Sequence, residues 1–400
     1  MERSPGIAGT NLEHARSHNR RVVIETVRLH GPLSRAEIAR LTGLTSQTVS
    51  NIADELQQGG MLRADAPRMG ARGQPATPLS IDPDGAYSVG LQFDHHGLTA
   101  VLVDLAGQVR RRLTARVSDA RPEAAVAQMA RSIKDLRARA PVDWSRVLGA
   151  GLAMPGPFNP SGQRLMGPTS LPGWEDPDVD AIAKRIGLPL FMENDAKAAA
   201  IGEHLHGQAK RLRSFVYLFI GMGLGTGLFV DGHIYKGAGR NAGEIGHIIV
   251  EPNGRLCHCG NRGCLERYVS LRAAYEALGI ESFDRNTPEA LARRLEAGDV
   301  KVEDWLRSTL EPMRRAINMM EGMLDPETII LGGVMSEPLL RWIADRLTPL
   351  SVSVSDHPDR PLPRLIVGAG GPDTPALGAA ALPIFDELNP QLNLLLKKSA

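Results

Sequence analysis

The sequence predicts an α/β protein in two parts: an N-terminal winged helix-turn-helix over residues 1–80 and a larger α/β domain over 81–400. Three observations predict this. Residues 19–58 hold three short amphipathic stretches, the last two joined by a three-residue Gly-containing turn. From Ile81 onward, strand-like apolar runs alternate with helical periodicity. The 400 residues are 42% hydrophobic and 23% charged, enough for more than one core and too apolar for a disordered chain.

The first helix runs from about Asn19 to Leu29, with Val22, Val23, Ile24 and Val27 as its apolar side, and Gly31-Pro32 ends it. Ser34-Arg35-Ala36-Glu37 is a capping box, in which hydroxyl and carboxylate satisfy each other's orphan N–H. The second helix ends near Leu41 and turns through Thr42-Gly43-Leu44. Thr45 caps the third helix, whose Val49, Ile52, Ala53 and Leu56 recur at three- to four-residue spacing until Gly59-Gly60. Its opposite face carries Ser46, Gln47, Thr48, Ser50 and Asn51. Such short donors and acceptors on the first turns are what a recognition helix offers to base edges. Residues 61–63 and 78–81 read as two strands, with the Arg/Gly-rich segment 68–76 between them. The segment reads as a wing that places Arg72 in a minor groove, or as a charged linker. Residues 1–80 hold ten Arg, no Lys and seven acidic residues, while the whole chain is only +1. The expected partner of this part is operator DNA.

In the larger part, strands are expected at 87–93, 98–103, 147–153, 190–192, 215–220, 227–230, 328–331 and 365–368. Helices are expected at 121–140, 182–186, 196–206 and 375–388, and the chain is mostly helical from Glu266 to Leu324. No internal repeat shows in the sequence, although two α/β halves can be duplicated in structure without a sequence trace. There is no signal-like apolar segment and no run of about 18 apolar residues, so the expected location is cytoplasmic, with no membrane partner.

The three cysteines, Cys257, Cys259 and Cys264, fall within eight residues, which excludes a disulfide-dense secreted scaffold. Their spacing offers three soft thiolates, and His247, ten residues upstream, can complete a tetrahedral set for Zn²⁺. A Cys3His set leaves no open position, so the zinc would be structural, stapling an irregular loop. Three metal-free reduced thiols are the plain alternative. Asn194-Asp195 stand between a strand and a helix, at the mouth of an α/β crevice, where such a pair also serves as a helix cap. Residues 221–227, with Gly225 and Thr226, fit a turn whose N–H groups face a phosphate, and Gly333 follows a later strand. Glycines of any tight turn would look the same.

Taken together, these motifs resemble one family. They are the helix-turn-helix, Gly149-Ala150-Gly151-Leu152-Ala153-Met154-Pro155-Gly156-Pro157, Glu193-Asn194-Asp195-Ala196, Gly243-Glu244-Ile245-Gly246-His247, and Cys257-His258-Cys259-Gly260-Asn261-Arg262-Gly263-Cys264-Leu265-Glu266. The chain resembles the ROK family of repressors and sugar kinases, in its regulator branch, over about residues 19–388. The resemblance implies a two-lobed actin-like (ribonuclease H-like) sugar-kinase fold behind the winged helix-turn-helix, with a crevice between the lobes. It implies sugar contacts from Asn194, Asp195, Glu244, His247 and Glu266, with lesser ones from Gly156 and Thr169. His247 would use one ring nitrogen for zinc and turn the other toward the sugar. In a kinase of the family, the residue matching Asp195 is the general base. The sequence departs at the first phosphate loop, where Asp94-His95-His96 stands in place of Asp-x-Gly-Gly-Thr. Imidazoles in place of glycines put close docking of ATP and Mg²⁺ in doubt and leave sugar binding intact. The expectation is a sugar-responsive repressor, a homodimer or homotetramer on palindromic DNA. The alternatives are an active ATP-dependent sugar kinase with an appended DNA-binding domain and, more remotely, a zinc sensor.

Overall fold

The computed structural model describes residues 12–67, 77–117, 119–156, 171–175, 177–357 and 359–388. Its N-terminal part is α1 (Leu12–His30), α2 (Arg35–Thr42), α3 (Ser46–Gln58), β1 (Leu62–Ala64) and β2 (Leu79–Ile81). The capping box at Ser34 and Glu37 and the Thr45 cap both form. Val23, Val27, Ile38, Val49, Ile52 and Leu56 are buried together, and β1 pairs antiparallel with β2. α1 starts at Leu12, earlier than its apolar stripe predicts, and this polar extension is tied to α3 by the Arg16–Glu55 ion pair at 2.9 Å.

The larger part holds two five-stranded sheets. The first is built from β3 (Tyr87–Asp94), β4 (Gly97–Asp104), β5 (Val109–Ala115), β6 (Val147–Met154) and β7 (Leu190–Asn194). Its helices are α4 (Pro122–Arg139) and α5 (Val179–Ile186), and α6 (Asp195–His206) leads out of it. The second is built from β8 (Phe215–Ile220), β9 (Leu224–Val230), β10 (His233–Ile234), β11 (Thr328–Gly333) and β12 (Leu365–Val367). Its helices are α7 (Glu266–Val269), α8 (Leu271–Leu278), α9 (Thr287–Glu296), α10 (Val300–Leu324) and α11 (Glu337–Leu347), and α12 (Thr374–Leu388) closes the chain.

The strand orders are β5-β4-β3-β6-β7 and β10-β9-β8-β11-β12. In each sheet an antiparallel three-strand meander is followed by two strands parallel to its first. The two halves are therefore duplicates in structure. β3 and β4 are buried along their whole length, as strands covered on both faces must be.

α12 packs on the first sheet, α6 on the second, and the two helices pack on each other between the sheets. Their approach requires glycine: a Cβ added at Gly378 would lie 1.7 Å from the Ala198 carbonyl oxygen, and one at Gly151 would lie 1.8 Å from that of Ala379. The far end of α12 reaches the winged helix. Ile384 packs against its core, and Arg21 on α1 donates to the Asp386 carbonyl at 2.7 Å. Leu105 and Ala86 of the larger part are buried in that same core, so the two parts share apolar surface.

Candidate functional site

The recognition face comes first in the chain. Ser46, Gln47 and Asn51 are exposed, and Gln47 donates to Asn51 at 2.9 Å, which holds both amides on one face of α3. Thr48 is half-buried and shares its hydroxyl with Thr45 at 2.9 Å. Ser50 accepts from Arg35 at 2.9 Å, part of a guanidinium fork that also reaches Asp54 and Gln57 and locks α2 to α3. Arg72 and the wing tip lie outside the described residues.

The cysteine loop brings four ligand atoms together. His247, Cys257, Cys259 and Cys264 place one ligand atom each within 4.8 Å of one another. Cys257 Sγ lies 3.6 Å from His247 Nδ1, and Cys259 Sγ lies 3.6 Å from Cys264 Sγ. A disulfide would need about 2.05 Å, whereas the edges of a tetrahedron with Zn–S near 2.3 Å and Zn–N near 2.0 Å are about 3.5–3.8 Å. The cradle is rigid for its size: the Cys257 N–H donates to Asn261, Gly263 to Arg255, and Ile249 bridges Cys264. The donor set can hold a metal ion. His258 and Glu266 join His247 and Cys257 in a second, overlapping group, with His258 Nδ1 at 3.3 Å from Glu266 Oε1.

A cleft of about 350 Å³ opens between the two sheets. Gly156, Asn194, Asp195, Glu244, His247 and Glu266 all line it. Thr169 lies outside the described residues. Asn194 does cap α6, accepting from the N–H groups of Ala196 and Lys197 at 3.0 and 3.2 Å. That leaves its amide nitrogen for a cleft ligand, so the cap and site readings are compatible. Enclosure in the cleft pushes the Asp195 carboxyl up to about 7, with repulsion from Asp94 and Glu244 adding to it. Burial also raises Glu244, against the pull of Lys197 and His247. Glu266 is partly spent: its Oε2 accepts from the Leu224 N–H at 3.0 Å and so fixes the neighbouring glycine turn.

Three sequence expectations need correction. Gly225 and Thr226 line the cleft but stand on β9, because the turn spans only residues 221–223. Thr226 is committed to the loop that carries Glu244: its N–H and its hydroxyl both donate to the Gly243 carbonyl at 2.9 Å. Gly333 is the last residue of β11 rather than part of a loop after it, with no room for a Cβ beside Ile220. Of the two imidazoles at the Asp94 hairpin, His95 lines the cleft. His96 turns away and is buried against the second half, with Nε2 3.1 Å from the Tyr275 hydroxyl and its ring 5.5 Å from Phe283.

Asp94 is occupied internally. Its Oδ1 accepts from the His96 N–H at 2.8 Å and its Oδ2 from Gln92 at 3.0 Å, with Arg285 at 3.9 Å. Burial favours the neutral acid, but the His96 hydrogen bond and the Arg285 charge outweigh it and hold the carboxyl down at about 2. Sequence reading gave no role to His258, Arg267 and Arg272 on the cleft wall: His258 stands inside the cysteine block but is not one of its spaced ligands, and the two arginines belong to no motif. It also missed Lys197 and Glu193 beneath the cleft. Their signal was present in the sequence as charges beside Asn194-Asp195, between an apolar strand and an alanine-rich helix.

Residues 88–384 match the ROK family, and residues 22–73 match the MarR family. The xylose repressor of Bacillus subtilis (strain 168) is 29% identical over 261 residues, covering 65% of this chain and 67% of that protein. The N-acetylglucosamine repressor of Escherichia coli O157:H7 is 23% identical over 342 residues, covering 82% and 83%. The crystal structure of a ROK family transcriptional regulator, a homologue of the E. coli MLC protein, superposes with a TM-score of 0.73 at 24% identity over 94% of this chain and 98% of that one, which shows the same fold.

Proposed function

The chain belongs to the ROK family, and on that footing we propose that it is a sugar-responsive DNA-binding transcriptional regulator that acts as a repressor. The observation that carries this reading is one continuous body. A MarR-type winged helix with an amide-bearing recognition face packs, through α12, on a cleft lined by convergent carboxylate, amide and imidazole groups. Convergent polar groups of this kind select ring hydroxyls, because a site built to hydrogen-bond them is left unsatisfied by analogues that lack them.

Asn194, Asp195, Glu244, His247 and Glu266 are the sugar contacts in this reading, with Gly156 and Thr169 as lesser contacts. Ser46, Gln47, Thr48, Asn51 and Arg72 meet operator DNA. His247, Cys257, Cys259 and Cys264 hold a structural zinc ion, which keeps the Glu244 and Glu266 segments in register. The protein works in the cytoplasm as a homodimer or homotetramer, since two-fold half-sites need two recognition helices. Residues 1–80 and 81–400 form its two domains.

Sugar that binds the closed cleft better than the open one shifts the lobes. α12 lies between the sheets and touches α1, so lobe rotation reaches the recognition helices. The test is operator affinity, on a duplex selected by the protein from random DNA, with and without xylose, glucose, N-acetylglucosamine and their 6-phosphates at fixed salt. Release by one sugar is expected; unchanged affinity across the panel overturns the reading.

One observation favours a second reading, an active sugar kinase. Asp195 raised to about 7 is poised as a general base. Against it stand the internally occupied Asp94 and the His95 side chain in the cleft. ATP-dependent phosphorylation of any panel sugar at about 1 s⁻¹ would establish the kinase.

A further inference from the structure

Lys197 is 2% exposed, and its ammonium donates to the Arg240 carbonyl at 2.6 Å. Glu193, 3% exposed, faces Lys236 at 2.7 Å and Arg240 at 3.6 Å. Glu193 and Glu244 attract the Lys197 charge, and Lys236 and Arg240 oppose it. Five charged groups thus meet beneath the cleft, two from the strand–helix turn β7–α6 and three from the loop over residues 236–244. Two of the five, Lys197 and Glu193, are buried, and buried charges are destabilising unless each is matched, so the arrangement is specific.

We propose that Lys197 and Glu193 are positioning residues, a buried clasp that sets the Glu244 loop against Asn194 and Asp195. The inference rests on the sugar-site reading above and adds what holds its two halves in register. Lys197 is in the first turn of α6, capped by Asn194, so one turn of helix presents Asn194 and Asp195 to the cleft and Lys197 to the loop. On the loop side, Arg240 adopts φ 61°, a left-handed conformation that a non-glycine residue rarely takes. Lys197 grips its carbonyl and Glu193 its guanidinium. Three residues on, Gly243 at φ 95° accepts two hydrogen bonds from Thr226, and Glu244 follows into the cleft. A site of fixed hydroxyl acceptors needs its groups held within about half an ångström. The clasp joins the first sheet's edge to a loop of the second half, so it also registers lobe position.

The test compares the full chain with K197M, which keeps the stem and removes the charge, K197R, which keeps the charge, and E193Q, which keeps the shape. Hydrogen exchange without sugar comes first. The clasp predicts about tenfold faster exchange at the Arg240, Ala242 and Ile245 amides in K197M, with Cys257 and Gly263 and the zinc content unchanged. Titration with xylose and with N-acetylglucosamine comes second. The clasp predicts about tenfold weaker binding in K197M, partly restored in K197R. Equal exchange in K197M and wild type overturns the clasp. So does loss of protection throughout the chain together with zinc, which marks a merely structural residue. If K197M does not fold, E193Q decides by the same two measurements. If wild type binds neither sugar, the effector reading fails for them, and the exchange comparison still decides the clasp.

Discussion

Asp195 links the cleft to pH in a way that one substitution isolates. In the folded chain its carboxyl is raised to about 7 by desolvation, with Asp94 and Glu244 repelling its charge. In an unfolded chain an aspartate titrates near about 3.9. Between those values the folded protein holds a proton that the unfolded chain has released. Folding stability therefore falls as pH rises across this window. Three pH units at about 1.4 kcal/mol each give about 4 kcal/mol in full, of which roughly two-thirds falls between pH 5 and pH 8. D195N supplies a neutral side chain of the same shape at every pH. Scanning calorimetry of both proteins at pH 5, 6, 7 and 8, at constant ionic strength, should show wild type losing about 5 °C of Tm relative to D195N, at about 2 °C per kcal/mol for a domain of this size. Titrating groups that do not interact with Asp195 cancel in the difference. A Tm difference flat across the window refutes the argument, because it means that Asp195 is ionised throughout. A bound sugar whose hydroxyl donates to Asp195 stabilises the charged form, so the stabilisation by sugar should grow as pH rises through 7.

Gln47→Ala and Asn51→Ala should each cost about 1–3 kcal/mol of discrimination between operator and mismatched duplex, with the slope of affinity against salt unchanged, as read by anisotropy titration. Cys259→Ser should lose zinc, measured by elemental analysis, and weaken operator release by sugar as well; a variant that loses zinc and keeps its full response would break the proposed link between the metal and the sugar site. Gly378→Ala drives a methyl group to 1.7 Å from the Ala198 carbonyl oxygen and should destabilise the α6–α12 contact by about 3 kcal/mol or more in denaturant unfolding.

The parts of the fold that were legible are those where sequence chemistry acts locally. Ser34 and Glu37 cap α2 because the box satisfies its own orphan donors within four residues. The cysteine cradle was legible because ligand spacing within a loop largely fixes ligand distance. β5 was not legible: Val109–Ala115 carries three consecutive arginines on an exposed edge strand and lacks the apolar alternation that announces a strand. The start of α1 was missed for a similar reason, since its polar extension is held by Glu55, a partner far along the chain. In the cleft, Asn194, Asp195 and Glu244 announced themselves by motif. Lys197 and Arg272 did not, and Glu193 stood in a motif without a role, because what makes them notable is a three-dimensional neighbourhood assembled from both halves of the chain. The placement of His96 was missed because spacing says that an imidazole is bulky and says nothing of which way it turns.

That turn of His96 bears on what kind of protein this is. The two sheets have the same strand order, so the β3–β4 hairpin and the β8–β9 turn stand at corresponding places and both meet the cleft. The second keeps Gly221 and Gly223. The first carries His95 and His96 and is fastened to the second half outside the cleft: His96 to Tyr275 at 3.1 Å, the Gly97 carbonyl to Arg285 at 3.2 Å, and Arg116 to Asp284. A phosphate loop must leave its backbone N–H groups open to an anion, and here Asp94 has taken that of His96. The same fastening is what a sensor requires. In the sensor proposed above, a cleft whose lobes touch at one side through α6 and α12 and at the other through this hairpin would have two packings, with its straps made or broken. A ligand that prefers one packing then moves the whole equilibrium by its differential affinity alone, with no chemistry needed.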